Sequence, residues 1–294
     1  MGRWRIYVLG VERMLEPGGL AASAPDMWWP LLGSLLALPD HSASRGTLIN
    51  ELWPEDGDEL AGRHRLGTAI WRLRSRFPAI ETALASTGDR LSFLPASGFW
   101  IDALAFERRA AAALADRGRL DSGSERHRLR RALALYQGDF LFGREHDAIL
   151  IHRERLRTLF IDAAYELGLA EARAGDWIAA RDTARRLCAV EPLREDGQRL
   201  LIEAHAACGS RGIAVRQYRM LAQLLADELG VAPMPETREL AERVSGLGLG
   251  SDPPAPRPVE DRIRSWRMNF RDTLVATRDQ ISQAIELLDQ HPPA

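Results

Sequence analysis

Residues 62–77, GRHRLGTAIWRLRSRF, contain six arginine or histidine side chains, the types that bind phosphates and the edges of guanine bases. Leu66, Ile70, Leu73 and Phe77 recur within this stretch at helical spacing. The pattern predicts a helix with one apolar face in a core and basic side chains on its other faces. Such a helix either contacts a nucleic-acid backbone or is a solvated surface helix, and its own residues do not decide between the two.

The overall composition gives no global attraction to DNA or to an anionic membrane. The chain has 294 residues and a formal net charge of −2. Lysine is absent, so every basic side chain other than histidine is arginine, a bias typical of GC-rich coding sequences that identifies no particular site. Residues 59–76 nevertheless carry five arginines against one glutamate. Any nucleic-acid binding must therefore depend on this local patch.

The common motifs of catalytic and metal sites are not found. The sequence contains no P-loop, no GxGxxG after a strand, no GxSxG and no HExxH. Cys188 and Cys208 lack CxxC spacing and lie in apolar helical contexts, which favours simple packing. Histidine and carboxylate side chains share residues 146–154, where a metal site is conceivable, but we interpret His152 as a surface residue. We expect no enzyme activity, no cofactor and no metal.

The sequence also predicts a cytoplasmic protein with no membrane partner. The first residues, MGRWRIYVLG, resemble a short strand and not a signal peptide, since no small-residue cleavage site follows them. No stretch approaches 18 uninterrupted apolar residues, the length that a membrane-spanning helix needs.

The elements around the basic helix occur in a recognisable order. A β-rich run (5–10) precedes an apolar helix (27–38) and a short amphipathic helix that starts near Ser44. After the basic helix, residues 90–94 and 99–101 read as the two strands of a hairpin. Strands, three helices and a hairpin are typical of a winged helix-turn-helix, in which the third helix enters the major groove and the hairpin is the wing.

From residue 104 onward nearly every segment is predicted to be helical, and one part of it repeats after 34 residues. The matching positions are Leu167, Ala170, Gly175, Ala180 and Leu187, and then Leu201, Ala204, Gly209, Ala214 and Leu221. This is the period of tetratricopeptide-like helix pairs. Small residues also match by chance in an alanine-rich chain, but turn residues stand at 175–177 and 209–212, where a repeat requires them.

The C-terminal part has a different composition. Residues 246–259 (GLGLGSDPPAPRPV) are predicted to be a Gly/Pro linker. Residues 260–290 form a predicted amphipathic helix whose apolar spacing departs from a clean heptad. This helix either packs against the preceding domains or offers a surface to a partner, and the sequence does not distinguish between these two arrangements.

Several long motifs carry a resemblance to a known family. The helical part contains RALALYQGDFL (131–141), PLREDGQRLL (192–201) and ELGVAPMPETREL (228–240), and the N-terminal part contains LINELWPE (48–55) and SGFWIDALAFE (97–107). These motifs resemble the SARP-type bacterial transcriptional activators, in which a response-regulator-type winged helix precedes a bacterial transcriptional activator domain. The resemblance covers about residues 3–244.

The resemblance and the composition together predict a mainly α protein in four parts. Residues 1–102 form the winged helix-turn-helix, residues 103–245 form an all-α tetratricopeptide-like domain, and the linker and C-terminal helix follow. The family implies a transcriptional activator that binds double-stranded DNA at promoter repeats, often as a homodimer, and contacts RNA polymerase. In this context the basic helix and the predicted wing supply candidate DNA-binding residues, namely Arg63, Arg65, Thr68, Trp71, Arg72, Arg74 and Arg90.

Three departures from the family pattern motivate an alternative. Gly67 stands where a basic side chain is common, Trp71 stands where a small polar residue is usual, and the first helix begins PDMWWPLL without its usual basic residue. Trp71 is suited either to thymine methyls and sugars or to another protein. The alternative function is therefore a protein-interaction adaptor that keeps the fold but no longer binds DNA.

Overall fold

The computed structural model describes residues 3–38, 40–54, 59–77, 79–95 and 98–246. The chain divides into two compact units, Met1–Glu191 and Pro192–Ala294. The predicted C-terminal helix (260–290) and all of the predicted linker except Gly246 lie outside the described residues.

A four-stranded sheet opens the first unit. Strands β1 (Trp4–Tyr7), β2 (Arg13–Leu15) and β3 (Ala21–Ala22) form an antiparallel meander. Strand β7 (Phe99–Ile101) adds to the other edge of β1 in parallel, which gives the order β3-β2-β1-β7. In this register Ile6 pairs with Ile101, and both side chains are buried.

Three helices follow the meander, as the sequence predicts. Helix α1 (Trp28–Leu36) is buried along its whole length, as expected for its continuous apolar run. Helix α2 (Arg45–Leu52) begins at Ser44, whose hydroxyl accepts a hydrogen bond of 3.0 Å from the backbone N–H of Thr47. Helix α3 (Glu59–Arg76) is the basic helix.

The wing differs from the prediction. Strand β6 (Arg90–Phe93) pairs with β5 (Leu84–Thr87), which follows the short helix α4 (Ile80–Ala83), and on its other edge with β4 (Ser42–Ser44). The predicted hairpin between residues 90–94 and 99–101 is therefore wrong, because 99–101 is strand β7 of the other sheet.

Two local features explain the observed pairing. Gly88 has a positive φ of 59°, which allows a tight turn between β5 and β6. The Phe99 ring stacks on Trp4, with 6.3 Å between ring centroids, so β7 gains its apolar contacts beside β1.

The remainder of the first unit is helical. Helix α5 (Asp102–Ala115) leads through a 3₁₀ turn (Arg117–Asp121) to α6 (Gly123–Leu133). The long helix α7 (Asp147–Arg173) packs against α5, α6 and α8 (Trp177–Val190). Its buried side chains include Phe160, which stacks on Tyr136 with ring centroids 4.5 Å apart.

The second unit contains α9 (Glu195–Ala207), α10 (Arg211–Leu229) and α11 (Pro235–Ser245), which pack on one another. The glycines that the 34-residue repeat aligns, Gly175 and Gly209, both adopt left-handed backbone conformations, with φ of 77° and 75°. Each glycine ends one helix of a pair. The mainly α fold class is thus confirmed, while the tetratricopeptide-like repeat and the division at residues 102 and 103 stay predictions.

Candidate nucleic-acid interface

Helix α3 has one buried face, as its spacing predicts. Leu66, Ile70, Leu73 and Phe77 are each at most 4% exposed. On a helix of 3.6 residues per turn, the opposite face falls on His64, Thr68, Trp71, Arg72 and Ser75, and all five are exposed. The amphipathic pattern therefore fixes which side chains this helix offers to a partner.

The outward face of α3 carries positive charge without neutralising acids of its own. From residue 60 to 76 the helix has five arginines and no aspartate or glutamate. Arg72 is exposed, and within the described part of the chain it forms no hydrogen bond or ion pair. The Thr68 hydroxyl turns back to donate 2.9 Å to the carbonyl of His64, and its methyl group completes the face.

Side chains on the flank of α3 nearest the wing contact the wing and the short helix before it. Arg63 lies 3.6 Å from the Asp89 carboxylate in the β5–β6 turn, and both side chains are about half exposed. Arg74 donates 2.8 Å to the carbonyl of Leu84 and lies 3.4 Å from Glu81, so its guanidinium bridges α3 to α4 and β5. The structure gives Arg74 a structural contact that the helical spacing does not reveal.

Arg90 has a similar position in the wing sheet. Its Nε donates 3.0 Å to the Ser42 hydroxyl, and its Nη2 lies 3.2 Å from the Asp40 carboxylate. The guanidinium therefore joins β6 to β4 and to the residues just before it. Like Arg74, it is a sequence-predicted site residue whose charge the protein already engages.

Two depressions lie along the exposed part of α3. The first, about 590 Å³, separates α3 from the start of α1 and the end of α2. It is lined by Pro25, Asp26, Met27, Trp53, His64, Arg65, Thr68, Ala69, Arg72 and Leu73. The second, about 520 Å³, is a shallow groove on the wing side, lined by Leu60, Arg63, His64, Gly67, Thr68 and Trp71. We call the second one the Trp71 groove.

Three residues of this surface were missing from the sequence prediction. His64 and Ser75 lie on the same exposed face as Thr68 and Trp71, which their spacing of four and seven residues would have revealed. Arg45 begins α2 next to the wing, where its backbone N–H donates 2.8 Å to the Asp89 carbonyl. Its position at the start of the helix before α3 could have identified Arg45 as a candidate, because that helix crosses the DNA backbone in helix-turn-helix proteins.

The conceivable metal site at 146–154 does not form a cluster. His152 is 2% exposed and packs edge-on against Phe140, with ring centroids 4.7 Å apart, so its interpretation as a surface residue is wrong. Burial, and to a smaller extent the nearby Arg155 guanidinium, lowers the pKa of His152 to about 4. Among the described residues, no group of three metal-ligating side chains comes together, and no helix has the length and apolarity to cross a membrane.

The helical part of the chain matches a known protein family. Residues 101–245 match the family model of the bacterial transcriptional activator domain. This match supports the resemblance to the SARP-type activators that the sequence motifs indicate. The match begins at the last residue of β7 and ends with α11, so it covers α5 to α8 of the first compact unit and α9 to α11 of the second.

The chain is also similar to two curated proteins. Regulatory protein AfsR of Streptomyces coelicolor is 29% identical over 255 residues, which are 86% of this chain and 25% of that protein. Regulatory protein AfsR of Streptomyces griseus is 29% identical over 259 residues, again 86% of this chain and 26% of that protein. The chain thus spans about a quarter of the length of these relatives.

A solved structure shares the fold of this chain. Mycobacterium tuberculosis EmbR, determined in complex with a low-affinity phosphopeptide, superposes with a TM-score of 0.64 at 19% sequence identity. The similarity covers 93% of this chain and 71% of EmbR. The order of a sheet-containing N-terminal part and a helical part is therefore common to both.

Proposed function

We propose that this chain is a sequence-specific DNA-binding transcription regulator, acting as an activator, whose helix α3 enters the major groove. The observation that carries the proposal is the outward face of α3, which presents Thr68, Trp71 and Arg72 opposite a buried stripe. Among the described residues, Arg72 has no hydrogen-bond or ion-pair partner. Similarity to two regulatory proteins supports the same function. The chain acts by binding and recruitment, and we assign it no enzymatic activity.

The side chains of α3 divide between base and phosphate contacts in this proposal. His64, Arg65, Thr68 and Trp71 precede Arg72 along the helix, and in this proposal they reach base edges in the major groove. Arg72 holds a phosphate and sets the register of the protein on the duplex. Arg45 at the start of α2 holds a second phosphate beside the wing.

Two of the sequence-predicted residues take a different role. Arg74 and Arg90 are engaged by protein oxygens, so we assign them to positioning α3 and the wing and not to DNA contact. Arg63 is paired with Asp89 at 3.6 Å in a half-exposed geometry that a phosphate can replace at small cost.

The proposed partners follow from the family. Promoters with direct repeats would seat two copies side by side, and the helical domain of each copy would contact RNA polymerase. The regulator would then act in the cytoplasm, at the nucleoid when it is bound to DNA.

The adaptor function remains the second candidate because of one observation. Leu60 and Trp71 are 78% and 66% exposed on α3, an apolar content that also suits a protein partner. An adaptor would use this face for protein binding and would leave DNA unbound.

Selection from random duplexes separates the two functions. The full chain is equilibrated with the pool, bound duplexes are amplified, and the enriched sequence is titrated by filter binding at several salt concentrations. A regulator should enrich a repeat-containing site and bind it at roughly nanomolar Kd, with affinity falling steeply as salt rises. Micromolar binding that is indifferent to sequence would favour the adaptor.

A further inference from the structure

Gly67 is a mid-helix glycine that the fold does not require. A Cβ added at Gly67 would meet no atom within 4 Å, and its φ is not positive. Gly62, one and a half turns earlier, differs completely, since a Cβ there would lie 2.4 Å from Ile49 Cγ2. Glycine inside a helix is destabilising relative to alanine. Packing therefore accounts for Gly62, and no contact within the described chain accounts for Gly67.

The missing side chain at Gly67 leaves open the floor of the Trp71 groove. Trp71 follows Gly67 by four residues and Leu60 precedes it by seven, so all three lie along one side of α3. Leu60 and Trp71 are among the most exposed large apolar side chains of the described chain. The groove is thus an apolar recess whose depth depends on the absence of a Cβ at residue 67.

The charges around the recess indicate what it receives. Arg63 and His64 line the groove itself, and Arg65 and Arg72 line the other depression along α3. Asp89 of the wing is paired with Arg63. An apolar recess on a helix that carries five arginines fits an apolar group that is carried on a polyanion. In the major groove of DNA, the one such group is the 5-methyl of thymine.

We propose that the recess formed by Gly67 and Trp71 receives the 5-methyl group of a thymine and so makes this chain select thymine at one position of its site. The proposal rests on the proposed DNA-binding function. The indole of Trp71 forms the wall that contacts the methyl, and Gly67 allows the base edge to approach the helix backbone.

Replacing single thymines by deoxyuridine in the selected duplex tests the methyl contact. Loss of one buried methyl should weaken binding by the full chain about four-fold at one thymine position. With Trp71→Ala, which changes an exposed side chain, the same replacement should leave the affinity unchanged. The comparison isolates the methyl, since deoxyuridine keeps the hydrogen-bonding groups of thymine.

Gly67→Ala supplies a second test in which stability and affinity change in opposite directions. The added methyl should raise the Tm by a few degrees through helix propensity. It should also fill the recess and weaken binding to the thymine duplex by about ten-fold or more. Gly212→Ala in α10 is the matched control, because a Cβ there also meets nothing within 4 Å. Gly212→Ala should change the stability and leave the affinity for the thymine duplex unchanged.

The outcomes distinguish this proposal from the function on which it rests. If the full chain binds no duplex selectively, the proposed function itself fails. If the chain binds a selected duplex, but no deoxyuridine replacement weakens it or Gly67→Ala binds as tightly as the unmodified chain, the thymine recess is wrong and DNA binding stands.

Discussion

At the scale of single residues, the arginines of α3 differ in what their guanidinium groups contact. Arg72 has no partner within the described chain, whereas Arg74 donates to the Leu84 carbonyl and faces Glu81. The sequence predicts both as DNA-binding residues, because both lie outside the apolar stripe. It could not separate them, since Leu84 becomes a neighbour of Arg74 only when α4 folds back onto α3.

This difference predicts distinct outcomes for two alanine variants. Arg72→Ala should weaken binding to all duplexes and flatten the plot of log affinity against log salt by about one unit, as expected when one phosphate contact is lost. Its unfolding free energy should stay the same. Arg74→Ala should instead lower the unfolding free energy by about 1 kcal/mol, because the Leu84 carbonyl loses a donor. Filter binding and urea denaturation measure the two effects, and reversed results would exchange the two roles.

Arg65 should show a third behaviour. If it reaches a base edge, Arg65→Ala should relax the preference at one base pair, at a cost of about 1–3 kcal/mol for the selected duplex and little for others. A competition assay with single-base variants of the duplex measures this. Equal loss on every duplex would identify Arg65 as a phosphate contact.

His152 predicts a pH dependence of folding. Burial lowers its pKa from 6.5 to about 4 in the folded chain, so the unfolded chain binds the proton first as pH falls. Its contribution to stability is therefore complete above about pH 6.5 and is lost as pH falls toward 4. Between about pH 7.5 and pH 5 this amounts to about 2 kcal/mol. Urea denaturation of the unmodified chain and of His152→Gln should show a smaller acid loss in the variant, and equal losses would contradict the assignment.

At the scale of elements, local periodicity accounts for what the sequence could predict. The buried stripe of α3, the buried run of α1 and the Ser44 start of α2 all depend on residues close in sequence, and all three are confirmed. The prediction of the wing was wrong because the pairing of strands depends on residues that are distant in the sequence. Phe99 does not pair with the strand at residues 90–94. It pairs with and stacks on Trp4, which lies near the start of the chain.

The packing of α2 on α3 depends on one glycine. Because a Cβ at Gly62 would lie 2.4 Å from Ile49 Cγ2, Gly62→Ala should separate the two helices and lower the unfolding free energy by about 1–3 kcal/mol. The same change at Gly67 should raise it. Thermal denaturation of both variants measures this contrast, and equal stabilisation by both would show that α2 and α3 are not closely packed.

At the scale of the whole molecule, the first compact unit joins its N-terminal strands and helices to the helices that follow them. The Asp102 carboxylate accepts hydrogen bonds of 3.0–3.1 Å from the backbone of Val8 and Leu9. Glu51 of α2 accepts 2.7 Å from the backbone N–H of Ala148 in the first turn of α7. These contacts join β1 and the residues after it to the start of α5, and α2 to the start of α7.

The same contacts predict cooperative unfolding. In α1, a Cβ at Gly33 would lie 2.5 Å from Leu141 and 2.8 Å from Ile149, so the two parts are in close contact. A fragment of residues 1–191 should unfold in one calorimetric transition. A fragment of residues 1–102, which lacks Leu141 and Ile149, should be markedly less stable. Two separate transitions in the longer fragment would contradict the coupling.

The central claim is that α3 lies in the major groove, and site-directed DNA cleavage tests it most directly. Ser75→Cys, in a chain with Cys188 and Cys208 changed to alanine, carries an iron–EDTA group on the exposed face of α3. Ala134→Cys on the exposed end of α6 is the control. The account predicts cleavage at the centre of each half-site from Ser75→Cys, with the strand offset of the major groove, and none from the control. Cleavage that is absent, unlocalised or equal from both positions would contradict it.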